Sequence, residues 1–292
     1  SVADFKKQLD IKTRKVDPTE RDASSSFIDF LDEELEDMKA GGMKKNTLKM
    51  LRQNINNIKA FAAQYNGGKG FSYEDVDWNL RIEMIDWLTE KCVQLAYGNK
   101  TLKTFRQFME RARRKRLHTN INYQGVGWTV TPKRAKGEMV ILTTTELQTL
   151  ADRELTGHVA KHRDMCLIGA GTGQRFGDFS RFTPNYFYRT LSVIPLLSLI
   201  SNKTNTPTKV PLNIFPWLIP VLERNDYTTP EMSMQKFNEG MKELCRRAGF
   251  DAEILKVEQY MGRKARVEKS YVQKYRLVSS HCCRRSFATN LY

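Results

Sequence analysis

The segments TGQRFGD (residues 172–178) and SSHCCRRSFAT (residues 279–289) decide how this 292-residue chain is interpreted. Each segment places one arginine, Arg175 or Arg284, in a defined local setting. The planar guanidinium of arginine stays charged at any relevant pH and donates two parallel hydrogen bonds to phosphate oxygens. Two converging guanidinium groups can therefore neutralise one phosphate, and we expect the two segments to form a phosphate site.

The net charge points to a polyanionic partner. Lys and Arg number 48 against 33 Asp and Glu, which leaves a formal charge of +15. Such an excess favours nucleic acid through counterion release, and an anionic membrane surface is the second choice. The longest apolar run, Leu191 to Ile200, is half of the roughly 20 residues that a spanning helix needs. We therefore expect a nucleic-acid partner, no membrane and no signal peptide.

The five cysteines predict reduced thiols and no metal site. Their number is odd, and no C-x-x-C pair or other metal-ligand spacing occurs among Cys92, Cys166, Cys245, Cys282 and Cys283. Buried or reduced thiols are typical of a cytosolic protein. We expect neither a metal nor another cofactor.

The first part of the chain has the apolar periodicity of a small four-helix bundle. Apolar residues recur every three or four positions, serines precede the first helix, and glycine pairs end the first two. The predicted helices cover residues 27–38, 48–65, about 79–95 and about 101–116. A helical domain is therefore expected at residues 24–123, after an N-terminal tail at residues 1–23.

A dense basic run begins in the fourth helix. Between Lys100 and Lys136 eleven positive residues stand against Glu110 alone. A solvated helix end is the plain alternative, but the chain-wide excess of positive charge favours a DNA-binding surface. The candidate DNA-binding residues are Lys100, Lys103, Arg106, Arg113, Arg114, Arg116, Lys133 and Arg134, joined by Arg285 from the second arginine segment.

Residues 124–138 lack a helical period and predict a linker, and residues 139–292 predict a second domain of mixed strands and helices. The pattern indicates a strand at Met139 to Leu142, a helix beginning near Glu146 and a buried helix at residues 163–171. A hairpin follows, formed by residues 191–200 and 210–212. An amphipathic helix is expected from Ser233 to Ala248.

The second domain resembles the catalytic domain of the tyrosine recombinases, the phage-type integrases, and in particular the integrases of Bacteroidetes mobile elements and conjugative transposons. The resemblance lies in the segment LTTTEL (142–147) near the start of this domain, the T-G-x-R-x-x-D box around Arg175 and the H-x-x-R-R-S-F-A-T-N-L-Y segment from His281. It implies a mainly α fold with a small β component. The first part would be a SAM-like core-binding domain and the second an α+β catalytic domain.

The resemblance also implies a reaction, the breaking and rejoining of DNA through a 3′-phosphotyrosyl intermediate. A tyrosine attacks the scissile phosphate, so the bond energy is kept and no cofactor is needed. Arg175 and Arg284 would hold the nonbridging oxygens, and His281 would assist proton transfer. Lys203 would protonate the leaving 5′-oxygen, with Lys209 as the competing candidate. Asp178 is interpreted as structural.

The attacking tyrosine is expected C-terminal to Tyr292, so the 292-residue chain is expected to be inactive alone. The alternative function is a non-catalytic DNA-binding factor that retains the recombinase fold, with a type IB topoisomerase third. The implied partners are the double-stranded DNA of an attachment or crossover site, a homotetramer on that DNA, and accessory DNA-bending or excision factors. The implied location is the cytoplasm, at the bacterial nucleoid.

Overall fold

A computed structural model describes residues 26–189 and 195–291 of the chain. The chain divides into two compact units. The first unit contains residues up to Ala135 and, from much later in the sequence, Val257–Glu268. The second contains Lys136–Lys256 and the residues from Lys269 onward.

Helices dominate both units, as the sequence predicts. The helices are α1 (Phe27–Ala40), α2 (Lys45–Ala62), α3 (Trp78–Glu90), α4 (Leu95–Arg114), α5 (Thr144–Asp152), α6 (Gly157–Thr172), α7 (Phe176–Phe179), α8 (Leu218–Glu223), α9 (Met234–Arg247), α10 (Lys274–Leu277) and α11 (Ser280–Asn290). The strands are β1 (Phe187–Arg189), β2 (Pro195–Ile200), β3 (Pro207–Pro211), β4 (Glu253–Tyr260) and β5 (Arg266–Gln273). The fold is therefore mainly α with a small β component.

The four predicted helices of the first part are present, and one predicted boundary between them is wrong. The third was expected to reach Leu95, but α3 ends at Glu90 and α4 already begins at Leu95. The chain turns between them at Cys92, whose φ is 50°. Leu88 and Leu95 are both buried on either side of this turn, so the apolar period continues through it and hides the break.

The loop between β4 and β5 completes the core of the first unit. Met261 and Ala265 are only 1% and 2% exposed and belong to the cluster that contains the apolar faces of α1 to α4. The Met261 amide donates a hydrogen bond to the Val93 carbonyl at 2.8 Å. A Cβ atom at Gly98 would lie 2.4 Å from the Met261 side chain, so a larger residue at position 98 would force Met261 to move. These strands were not predicted from the sequence.

In the second unit α6 forms the centre of the core. Every residue from Arg163 to Thr172 is buried, and α5, α8, α9 and α11 pack around this helix. Strands β1, β2 and β3 form an antiparallel sheet with Ser198 opposite Lys209. The predicted hairpin is thus confirmed over β2 and β3, while residues 191–194 of its first strand lie outside the described residues.

The predicted strand at Met139 to Leu142 is not formed. The Leu142 amide donates to Ser286 Oγ at 2.8 Å, and the Leu142 carbonyl accepts from Asn290 Nδ2 at 3.0 Å. Side chains of α11 therefore take the place of a neighbouring strand. This contact holds α11 against the segment that leads into α5.

We predict that Met261→Ala lowers the free energy of unfolding of the first unit by about 2–5 kcal/mol, as expected for a buried methionine that leaves a cavity. Chemical unfolding followed by hydrogen exchange at residues 93–101 measures the effect. Met50→Ala is the control, since Met50 of α2 is 42% exposed, and it should change stability by less than about 0.5 kcal/mol. Equal effects of the two substitutions would show that the loop between β4 and β5 adds nothing to this core.

Candidate functional site

Arg284 lies on α11, where that helix meets the C-terminal end of α6. Gly173 ends α6 with a φ of 65°, which favours glycine. A Cβ atom there would also lie 2.4 Å from the Phe287 ring of α11. Arg284 Nη1 donates to the Gly173 carbonyl at 3.0 Å, which satisfies an acceptor of the helix end. The second arginine is thereby fixed two residues from the first.

Arg175 follows this helix end and reaches the β2–β3 hairpin. It is partly buried, and its Nη1 donates to Ser201 Oγ at 3.2 Å. Ser201 follows the last residue of β2, and Lys203 stands exposed in the turn two residues later. The hydrogen bond from Arg284 to Gly173 and the hydrogen bond from Arg175 to Ser201 thus bring both arginine motifs next to the turn at residues 201–206 that carries Lys203, here called the lysine turn.

His281 lies in the first turn of α11 and is exposed. The N-terminus of this helix is capped from α9, because Asn238 Oδ1 accepts a hydrogen bond from the Ser280 amide at 2.8 Å. The N-cap residue Ser279 itself makes no side-chain cap bond. Asn238 therefore holds the turn that carries His281, and this role was missed because nothing in the local sequence links residues 238 and 280.

Cysteines surround the second arginine motif but are not candidate nucleophiles. Cys282 and Cys283 are buried free thiols between His281 and Arg284. Burial raises the pKa of the Cys282 thiol to about 11. Burial also raises the pKa of Cys245. Since the thiolate is the reactive form, Cys282 and Cys245 stay protonated and inert at neutral pH.

Several of the candidate DNA-binding arginines have partners inside the first unit. Arg113 Nη2 and Arg114 Nε lie 2.9 and 3.1 Å from Glu110 Oε1. Hydrogen bonds from Arg113, Tyr123 and Arg114 hold the pKa of Glu110 far below its usual range. Glu110 therefore stays ionised and offsets part of the charge at this helix end.

The other candidate DNA-binding residues either form no ion pair with the described residues or donate a hydrogen bond to the backbone. Lys100 and Lys103 are exposed on α4, with the Lys100 ammonium 5.2 Å from the centre of the Tyr97 ring. Arg106 Nη2 donates to the Gln124 carbonyl at 3.2 Å. The remaining candidates, all exposed, are Arg116, Lys133, Arg134 and Arg285. Lys100 and Lys103 offer the clearest pair of free charges on one helix face.

The part of the chain that the structure describes contains no group of three His, Cys, Asp or Glu residues placed to hold a metal ion. Within residues 26–189 and 195–291, no helix has the length and apolar character to cross a membrane.

Comparison with known proteins bears on both units. The sequence model of the phage integrase SAM-like domain matches residues 26–126. A comparison with curated proteins found no match.

Solved structures with similar folds span most of the chain. A lambda integrase dimer bound to a COC′ core site aligns with a TM-score of 0.61 at 14% identity, over 89% of this chain and 87% of that one. The XerH site-specific recombinase bound to difH substrate gives 0.61 at 14% identity, over 90% and 72%. The Tn1549 transposon integrase in complex with circular intermediate DNA gives 0.62 at 14% identity, over 92% and 87%. At such identities the likeness shows the fold.

We predict that Asn238→Ala destabilises the second unit by about 1 kcal/mol, the usual cost of losing an N-terminal cap. The expected signature is faster hydrogen exchange in the first turn of α11. Asn238→Asp is the matched control, because it keeps the acceptor and places a negative charge at the positive end of the helix. Equal exchange in wild type and Asn238→Ala would contradict the capping role.

Proposed function

We propose that this chain is a tyrosine recombinase, a site-specific DNA recombinase that integrates or excises a mobile element. The match of residues 26–126 to the phage integrase SAM-like domain and the fold shared with solved integrases support this proposal. The observation that carries this proposal is the meeting of both arginine motifs at one helix end. Arg284 donates to Gly173, and Arg175 follows two residues later. The origin among Bacteroidetes mobile elements stays a prediction from the sequence.

The proposed reaction begins when a tyrosine oxygen attacks the scissile phosphorus and the 5′-oxygen leaves. A 3′-phosphotyrosyl bond forms as the phosphodiester bond breaks, so the bond energy is kept for rejoining. In this scheme Arg175 and Arg284 bind the nonbridging oxygens and offset the charge that builds up in the transition state. The tyrosine itself is expected C-terminal to Tyr292.

The proton transfers are assigned to His281 and Lys203. His281 lies one helical turn before Arg284 on α11, which suits a group that acts at the same phosphate. Lys203 would protonate the leaving 5′-oxygen from its exposed turn. Lys209 remains the rival candidate, but it lies within β3 opposite Ser198, whereas Lys203 directly follows the segment that contacts Arg175.

Double-stranded DNA at an attachment or crossover site is the proposed partner. The lambda, XerH and Tn1549 proteins were solved with DNA, and lambda integrase also as a tetramer bound to a Holliday junction. The excess of positive charge supports the same partner here. A homotetramer on DNA, accessory DNA-bending or excision factors and a place at the bacterial nucleoid belong to this proposal.

The DNA-binding surface includes Lys100 and Lys103. We predict that Lys100→Ala with Lys103→Ala weakens binding to all duplexes alike and lowers the slope of log K against log salt by about 1 for each phosphate that the variant no longer neutralises. Fluorescence anisotropy over a salt series measures both quantities. The control is Lys39→Ala, since the Lys39 ammonium already pairs with Glu36. A salt slope near zero in the wild type would contradict DNA binding by charge.

Cleavage is predicted to need Arg284. In the full-length protein, Arg284→Ala should slow covalent adduct formation on a nicked suicide substrate by about 10²–10³, the usual loss when one donor to a transition-state oxyanion is removed. DNA affinity should change little, because many other phosphate-binding side chains remain. Arg246→Ala is the control, since Arg246 is an exposed arginine paired with Glu243.

The wild-type result decides between the two functions. A covalent adduct supports a recombinase. A full-length protein that binds this DNA and forms no adduct would instead be the non-catalytic DNA-binding factor.

A further inference from the structure

The Ser201 hydroxyl lies between the first arginine and a buried carboxylate. Its Oγ is 3.2 Å from Arg175 Nη1 and 3.1 Å from Asp178 Oδ2. Ser201 is 4% exposed and Asp178 is 1% exposed. Both oxygens are therefore shielded from water, and their hydrogen bonds have no solvent to replace them.

The chemistry of the three groups fixes the direction of each bond. A guanidinium only donates, so Ser201 Oγ must accept from Arg175. A carboxylate only accepts, so the single Ser201 proton points to Asp178. The hydroxyl is thus held by both neighbours and has one orientation.

The same carboxylate holds the start of the lysine turn. Asp178 Oδ1 accepts a hydrogen bond from the Asn202 amide at 2.8 Å. Arg181 Nη2 lies 3.4 Å from the same Asp178 oxygen. The turn is closed by its own backbone bonds, from the Asn205 amide to the Ser201 carbonyl at 2.8 Å and from the Ser201 amide to the Thr206 carbonyl at 2.9 Å. The lysine turn keeps these three bonds even when the Ser201 hydroxyl is removed.

We propose that Ser201 is a positioning residue for the recombination reaction, which orients the Arg175 guanidinium toward the scissile phosphate and separates it from Asp178. This role rests on the proposed function and adds a residue to it. Without the hydroxyl, no group separates the Arg175 guanidinium from the Asp178 carboxylate. A direct Arg175–Asp178 pair would turn the guanidinium away from the phosphate and offset its charge.

Removal of the hydroxyl tests this role in the full-length protein. Ser201→Ala should slow single-turnover cleavage of a nicked suicide substrate by about tenfold to hundredfold, as expected for a misplaced catalytic group. Ser201→Thr keeps the hydroxyl and should stay within about threefold of wild type. Ser198→Ala, in the strand that leads to Ser201, is the control, because the Ser198 hydroxyl makes no hydrogen bond to the described residues. DNA affinity should be unchanged in all three, and the melting temperature of Ser201→Ala should fall only by a few degrees, as expected for the loss of one buried hydrogen-bonding group.

A modified substrate separates an effect on Arg175 from an effect on Lys203. A 5′-bridging phosphorothiolate leaves as a thiolate, which needs no proton, so it should restore cleavage by Lys203→Ala. It should not restore cleavage by Ser201→Ala, because the nonbridging oxygens still lack a well-placed Arg175.

Three results would overturn the positioning role. One is a wild-type cleavage rate for Ser201→Ala, another is a Ser201→Thr variant as slow as Ser201→Ala, and the third is full restoration of Ser201→Ala by the phosphorothiolate. A wild-type protein that forms no adduct on either substrate would overturn the proposed recombinase activity, and this role with it.

Discussion

The packing of α11 onto the C-terminal end of α6 is the contact on which the candidate site depends. It requires a residue without a side chain at Gly173, both for the backbone conformation and for the Phe287 ring. The same contact brings Arg284 to the Gly173 carbonyl. Two motifs more than a hundred residues apart in sequence thus share one helix end. Any change that separates these helices would therefore also move Arg284 away from the end of α6.

The helices and the β2–β3 hairpin could be predicted because their signals are local. Apolar spacing, serine caps and glycine pairs lie within each element. The residues that position the site could not be predicted in this way. Asn238 and Ser201 act across 42 and 26 residues of sequence, on Ser280 and Arg175 respectively. An isolated serine or asparagine carries no sign of such a distant partner.

The basic run illustrates a second limit of sequence reasoning. Counting charges between Lys100 and Lys136 finds eleven positives against one negative. The fold brings acidic groups from α1 to the same place, since Glu34 pairs with Arg111 and Lys115. Basic side chains that have no acidic neighbour in the sequence are therefore partly neutralised by acidic side chains that the fold brings close to them. The net charge still predicts the kind of partner, whereas the pairing decides which side chains are available to it.

The position of Met261 in the core of the first unit has a consequence for how such genes can evolve. The helical unit is encoded in two separate stretches, because Val257–Glu268 belongs to it. Exchange of the helical part between related genes by a single crossover near residue 135 would join a new bundle to an old loop between β4 and β5. Met261 and Gly98 would then come from different parents and would have to fit by chance. Successful exchanges should therefore carry both stretches together, and the two should change in step as the genes diverge.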